Sequence, residues 1–227
     1  MKTIKKWQIN QNQAIILFIL AAIFIDVLVT QIAMAVNPQL SVPADASRIN
    51  KYYLAVMVLV FPVFYLKSDI SVNFDALKVK DGKQFGKSML RALFYSLLVI
   101  LAMFLYRLYL NSTDPAIAAW PYFGLYLKMN GRWFYPISSI LQEFLVKGVS
   151  QHNFVKAFED RNKFVGILAN AVFFGILHMN YKLYYMLGAF LMCFLTAFLY
   201  EDDKHIYGCA LIHFVVGFMP RVLGLFR

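Results

Sequence analysis

Cysteine is nearly absent from this chain, charge is sparse, and the loops that hold nucleotides are missing. Only Cys193 and Cys209 occur, both inside apolar stretches. A disulfide framework has nothing to build on, and two small buried thiols are expected instead. There is no C-x-x-C, no H-E-x-x-H and no glycine-rich phosphate loop, so nucleotide-driven transport and zincin-type proteolysis lack support. No internal repeat, coiled-coil heptad or low-complexity segment stands out. Charged residues make up only 15% of the chain, well below the share in a soluble domain.

Apolar residues fill the gap. They make up 61% of 227 residues, more than a soluble core needs, and this predicts one integral membrane domain over 1–227 without a sizeable soluble extension. The net charge of +10 points to nucleic acid in a soluble chain. Here the bases cluster in the connections, so they are assigned to topology and anionic lipid, with no nucleic-acid partner. The apolar run from Ala14 is too long for a cleavable signal and is read as a retained span.

The predicted fold class is all-α, a polytopic transmembrane helical bundle of about seven spans, within limits of about six and eight. The expected spans are Ala14–Val36, Tyr52–Leu66, Met89–Leu110, Phe134–Val149 (with helix running on to Phe158), Phe164–His178, Leu183–Tyr200 and Ile206–Phe226. Trp120–Leu127 is an alternative short re-entrant piece. If the spans alternate, Lys2, Lys5, Lys6, the lysines of the Lys67–Lys87 loop, Arg161, Lys163 and Lys204 share a side. The positive-inside rule makes that side, and the N-terminus, cytoplasmic in a multi-pass protein of the cell membrane. Arg48, Lys51, Lys128, Arg132 and Lys182 fall opposite. The Lys67–Lys87 loop, which alternates bases with Asp69, Asp75 and Asp81, is a lipid-facing or partner-facing segment.

Ionisable groups at bilayer depth are costly and are placed there for function or pairing. Leu141–Val149 puts Glu143 and Lys147 four residues apart, acid first, the favourable order for a helical pair. A structural salt bridge explains that pair equally well. His178 follows Phe174 by one helical turn, and His213 sits deeper in the last apolar segment; each alone reads as a hydrogen-bonded helix residue. The order acid, histidine, histidine on three successive apolar segments points to one shared polar cavity. Asp26 stands alone in the first span and reads as a carboxyl bonded to a neighbouring helix. With the polytopic form, it is also the only support for a transporter or channel reading. His152 reads as juxtamembrane, and His205 as part of a solvated turn beside Glu201–Lys204.

This pattern resembles the CPBP (Abi, CAAX-protease-like) intramembrane glutamic proteases, which include the type II CAAX prenyl endopeptidases. The family motif E-E-x-x-x-R is met as Gln142-Glu143-Phe-Leu-Val-Lys147, with Gly148 following. F-x-x-x-H is met in full by Phe174 and His178. H-x-x-x-N is met at His213 but reads Gly217 at the asparagine. The likeness spans about Phe134 to Phe218. It implies that the first acid and the second-motif histidine activate a water, and that the third motif stabilises an oxyanion.

Two departures strike at that chemistry. Gln142 is a neutral amide, which cannot take a proton at neutral pH. Gly217 has no side chain to donate, and losing one oxyanion donor costs about 10²–10³ in rate. Glu143, His178 and His213 remain as candidate catalytic residues, with Gln142 and Gly217 as degenerate positions and Glu143–Lys147 as a structural pair. Zinc held by Glu143, His178 and His213 has acceptable ligand types but no ligand spacing on a single helix, so no metal and no cofactor is expected. The sequence reading is a degenerate protease site that binds a membrane-associated peptide or membrane-protein partner, in an immunity or regulatory role that the resemblance implies. The alternative is an active endopeptidase cutting near the bilayer surface, with Glu143 as base.

Overall fold

The computed structural model describes residues 11–37, 46–119, 134–158, 163–178 and 183–225. Among these every regular element is helical. In order they are α1 (Gln11–Val36), α2 (Ala46–Lys67), a 3-10 turn (Phe74–Leu77), α3 (Gly82–Thr113) and α4 (Pro115–Ala118). Then follow α5 (Tyr135–Glu143), a π-helix (Phe144–Gln151), α6 (His152–Ala157), α7 (Lys163–Ile176), α8 (Leu183–Asp203) and α9 (Tyr207–Val222). The expected all-α membrane architecture holds. Among the described residues three helical stretches, Ala14–Val36, Gly82–Thr113 and Tyr185–Asp203, are long and apolar enough to cross a bilayer. Ala55–Lys67, Lys163–Ile176 and Tyr207–Val222 are apolar but shorter. Trp120–Leu127 and the N-terminal lysines lie outside the described residues, as do Lys128, Arg132, Arg161, Lys182 and Phe226.

The chain forms two compact units, Met1–Phe74 with Leu145–Phe198, and Asp75–Phe144 with Leu199–Arg227. In the first, α1 has a four-residue rhythm. Ala14, Phe18, Ala22, Asp26 and Thr30 are buried, whereas Ile16, Leu20, Phe24, Leu28, Ile32 and Val36 face outward. That outward stripe suits lipid, and the inward one takes α2 through Phe18 against Phe61. Asp26 is therefore on the packed face. Helices α6 and α7 cross closely because Gly166 has no side chain: a Cβ there would lie 2.7 Å from the Val155 Cα.

In the second unit α3 packs along α9. Ser88, Ala92 and Ser96 recur every four residues on α3, all buried, and Gly208 of α9 lies against the first two. Small residues at such a seam let apolar helices approach where no hydrophobic drive separates lipid from protein. Asp81 caps α3 by accepting from the Lys83 backbone N–H at 2.8 Å.

Two expectations change locally. The helix predicted from Phe134 to Phe158 is interrupted by the π-helix Phe144–Gln151. Its wider i→i+5 winding leaves backbone carbonyls open to other donors. Gly148 O accepts from Asn73 N, and Val149 O accepts from Asn153 Nδ2, both at 2.8 Å. The span expected to reach His178 ends as helix at Ile176, so His178 lies in the turn that follows.

Candidate functional site

Helix α5 carries Tyr135, Ser139 and Glu143 at four-residue spacing, which sets all three on one face. Pro136 stands in its first turn, where a missing N–H costs nothing. Ser139 Oγ donates back to the Tyr135 carbonyl at 2.9 Å. Helix α9 repeats the spacing with Cys209, His213 and Gly217, and packs against α5 within the same unit.

Where the two faces meet, Glu143 Oε1 and His213 Nδ1 are 2.8 Å apart, and both side chains are buried. A carboxylate at this distance fixes both the tautomer and the orientation of the ring. Tyr135 completes the cluster. Its ring meets His213 edge-on, with centroids 6.4 Å apart at 78°, and also contacts Phe214. Its hydroxyl lies against Gly217: a Cβ there would be 1.7 Å from Tyr135 Oη and 2.5 Å from Cζ. The room for a side chain at 217 is thus filled from α5.

Gln142, next to Glu143 and half-buried, points its amide along its own helix and donates from Nε2 to Ser138 Oγ at 3.0 Å. Lys147 is fully buried in the other unit. Its Nζ donates to the Cys193 carbonyl at 2.8 Å and to Cys193 Sγ at 3.5 Å, where Asn170 Nδ2 also donates. Glu143 and Lys147 therefore each have a partner that spacing alone did not forecast. His178 belongs to that same unit and packs on Phe174 with the rings tilted by 54° and their centroids 4.8 Å apart. Its Nδ1 lies 2.9 Å from the Phe174 carbonyl, an acceptor, so Nδ1 is the donor in this contact. Phe174 and His178 thus meet as the sequence spacing requires, although the histidine has left the helix. Among the described residues no three His, Cys, Asp or Glu side chains group to hold a metal ion.

Sequence reasoning missed Tyr135. The Tyr135–Ser139–Glu143 stripe was the available signal, but an aromatic at a helix start reads as an interfacial anchor.

Residues 128–219 match the family model for type II CAAX prenyl endopeptidase Rce1-like proteins. The chain carries an Rce1-like segment. This segment holds Tyr135, Gln142, Glu143, Lys147, Phe174, His178, His213 and Gly217, though it is less than half of the chain. No curated protein and no solved structure matches.

Proposed function

We propose that this is a multi-pass membrane protein, N-terminus cytoplasmic, whose Rce1-like segment binds a membrane-associated peptide or protein without cleaving it. An immunity or regulatory role follows from that reading. The observation that carries it is Tyr135 Oη filling the place of a side chain at residue 217. An asparagine there requires the Tyr135 ring to move, because its Oη, Cζ and Cε1 all lie within 3.0 Å of the Cβ position. Gln142 adds a second loss: its amide is bonded to Ser138 and takes no proton at neutral pH. Binding needs neither a general base nor an oxyanion donor, only a shaped polar pocket within an apolar bundle.

The test is to reconstitute the protein in vesicles and offer prenylated peptides ending in a free carboxylate. The expected result is saturable binding with no cleaved product. Turnover at a steady rate overturns the reading.

One observation favours endopeptidase activity as a second reading. The buried Glu143–His213 pair is a carboxylate orienting an imidazole, the arrangement that supports proton transfer. On that reading His178→Ala and His213→Ala each abolish turnover while membrane levels stay normal.

A further inference from the structure

Remote from the Glu143–His213 pair along α9, the turn between α8 and α9 holds a histidine in an unusual setting. His205 is buried, and among the described residues neither ring nitrogen has a hydrogen-bond partner. Its ring lies 5.4 Å from Phe85 of α3 and 5.8 Å from Tyr207 of α9, and those two rings contact each other edge-on at 5.9 Å. Neutral imidazole fits such an aromatic slot, whereas imidazolium adds a second N–H donor where neither ring nitrogen has a hydrogen-bond partner.

The turn around His205 is a docking point. Ile206 N–H donates to the Ala76 carbonyl at 3.0 Å, and Tyr207 Oη donates to the Leu77 carbonyl at 2.8 Å. Lys204 adopts φ 60°, left-handed and uncommon outside glycine, so the turn is held by its surroundings. The charges acting on His205 are Asp203 of α8 and Arg91 of α3. Asp203 is already bonded to Arg91 and to Ser88, and Arg91 also reaches Asp202. Asp75 of the 3-10 turn is clamped by Lys78 and Lys80. Asp203, Asp202 and Asp75 thus each have a cation, and Asp81 at the start of α3 accepts from the Lys83 backbone N–H.

We propose that His205 is a pH-sensitive latch: neutral, it packs against both Phe85 and Tyr207 and holds the α8–α9 turn on the Ala76–Leu77 carbonyls; protonated, it leaves this aromatic cluster and releases them. The released element is the short segment between the 3-10 turn and α3, where exposed Lys78 and Lys80 alternate with outward-facing Leu77 and Val79. Its detachment changes what a membrane surface or partner meets. Burial pushes the imidazole below its ordinary value, Asp203 and then the residue's own backbone draw it back up, and Arg91 lowers it again. The sign follows. A base whose folded-state pKa is depressed supports the docked state fully above the ordinary histidine range, about 6.5. That support is lost as pH falls through and below it.

The experiment is hydrogen exchange on the full-length protein in lipid discs at about pH 7.5 and about pH 5.5, corrected for intrinsic rates. The reporter is the Ile206 amide. It should open several-fold more often at the lower pH. His205→Phe, which keeps an aromatic in the slot, should remove that dependence and stay closed at both values. An unchanged wild-type amide overturns the latch. So does a pH response that survives His205→Phe, or one abolished by Asp203→Asn alone. Should His205→Phe fail to fold, direct titration of the wild-type His205 ring by nuclear magnetic resonance decides. A midpoint below the ordinary histidine value is expected, and one at or above it overturns the proposal.

Discussion

The hydroxyl oxygen of Tyr135 stands 1.7 Å from the point a Cβ on residue 217 would occupy. Glycine at 217 and tyrosine at 135 are therefore one feature of the fold: the second requires the first. Gly217 has no positive φ, so space and not backbone freedom demands the glycine. Gly217→Ala should cost about 1–3 kcal/mol, as overpacking does, read as a lowered melting temperature in detergent. Tyr135→Phe should not rescue it, because Cζ is only 2.5 Å from the new carbon. Tyr135→Ala should. Parental melting for Gly217→Ala alone would show that the ring moves freely and that the two positions are independent.

The Glu143–His213 contact is checked by separating charge from hydrogen bonding. Glu143→Ala removes the acceptor 2.8 Å from His213 Nδ1 and should cost about 1–3 kcal/mol, the penalty for a buried group losing its partner. Glu143→Gln keeps an acceptor oxygen. If His213 is neutral, Gln should melt close to the parent. If His213 carries a proton, the cost should approach the roughly 3–5 kcal/mol of a broken buried ion pair. Equal melting of all three proteins would remove any structural role for the contact.

Much of this was legible in the sequence, for identifiable reasons. Helix α1 was legible because a long apolar run admits little but a spanning helix. Glu143 and His213 were legible because ionisable groups stand out against apolar segments. The Glu143–Lys147 spacing assumed a regular α-helix, and nothing in Phe144–Gln151 announces a π-helix: there is no proline, and Gly148 is the only flexible residue. Lys147 donates to a backbone carbonyl of Cys193, and a carbonyl partner leaves no trace in residue identity. His205 was read as a solvated turn residue because charged neighbours surround it in sequence. The aromatic slot that buries it comes from Phe85, distant along the chain.

The glycines give a graded test of the close helix approaches. A Cβ on Gly166 meets backbone atoms of Phe154 and Val155 at 2.7–2.8 Å, which cannot move without parting α6 from α7. At Gly208 the nearest neighbours are the Ser88 hydroxyl and a Leu199 methyl at 3.1 and 3.2 Å, which can yield by a few tenths of an ångström. Gly188 has nothing within 4 Å. Alanine should therefore destabilise most at 166, by about 1–3 kcal/mol or more, less at 208, and not at all at 188. At 188 the higher helix propensity of alanine should give a small gain. Thermal melts in the reverse order would contradict the described α6–α7 crossing.

Restoring activity is the most demanding prediction, and the geometry sets its conditions. Gln142→Glu supplies a carboxylate where the resemblance places the first acid. Gly217→Asn cannot supply the missing donor while Tyr135 fills that space, so the two changes together should give a poorly folded, inactive protein. Adding Tyr135→Ala makes room, and the triple variant should then cleave prenylated peptide in vesicles. Gln142→Glu alone should be slower than the triple variant by about 10²–10³, the usual cost of one absent oxyanion donor. Time courses of product by mass spectrometry would distinguish these proteins. Rapid turnover by Gln142→Glu with Tyr135 intact would mean that the tyrosine hydroxyl itself serves as the donor. Cleavage by the unaltered chain, lost in His178→Ala, would instead establish Glu143 as the base and the protein as a working endopeptidase.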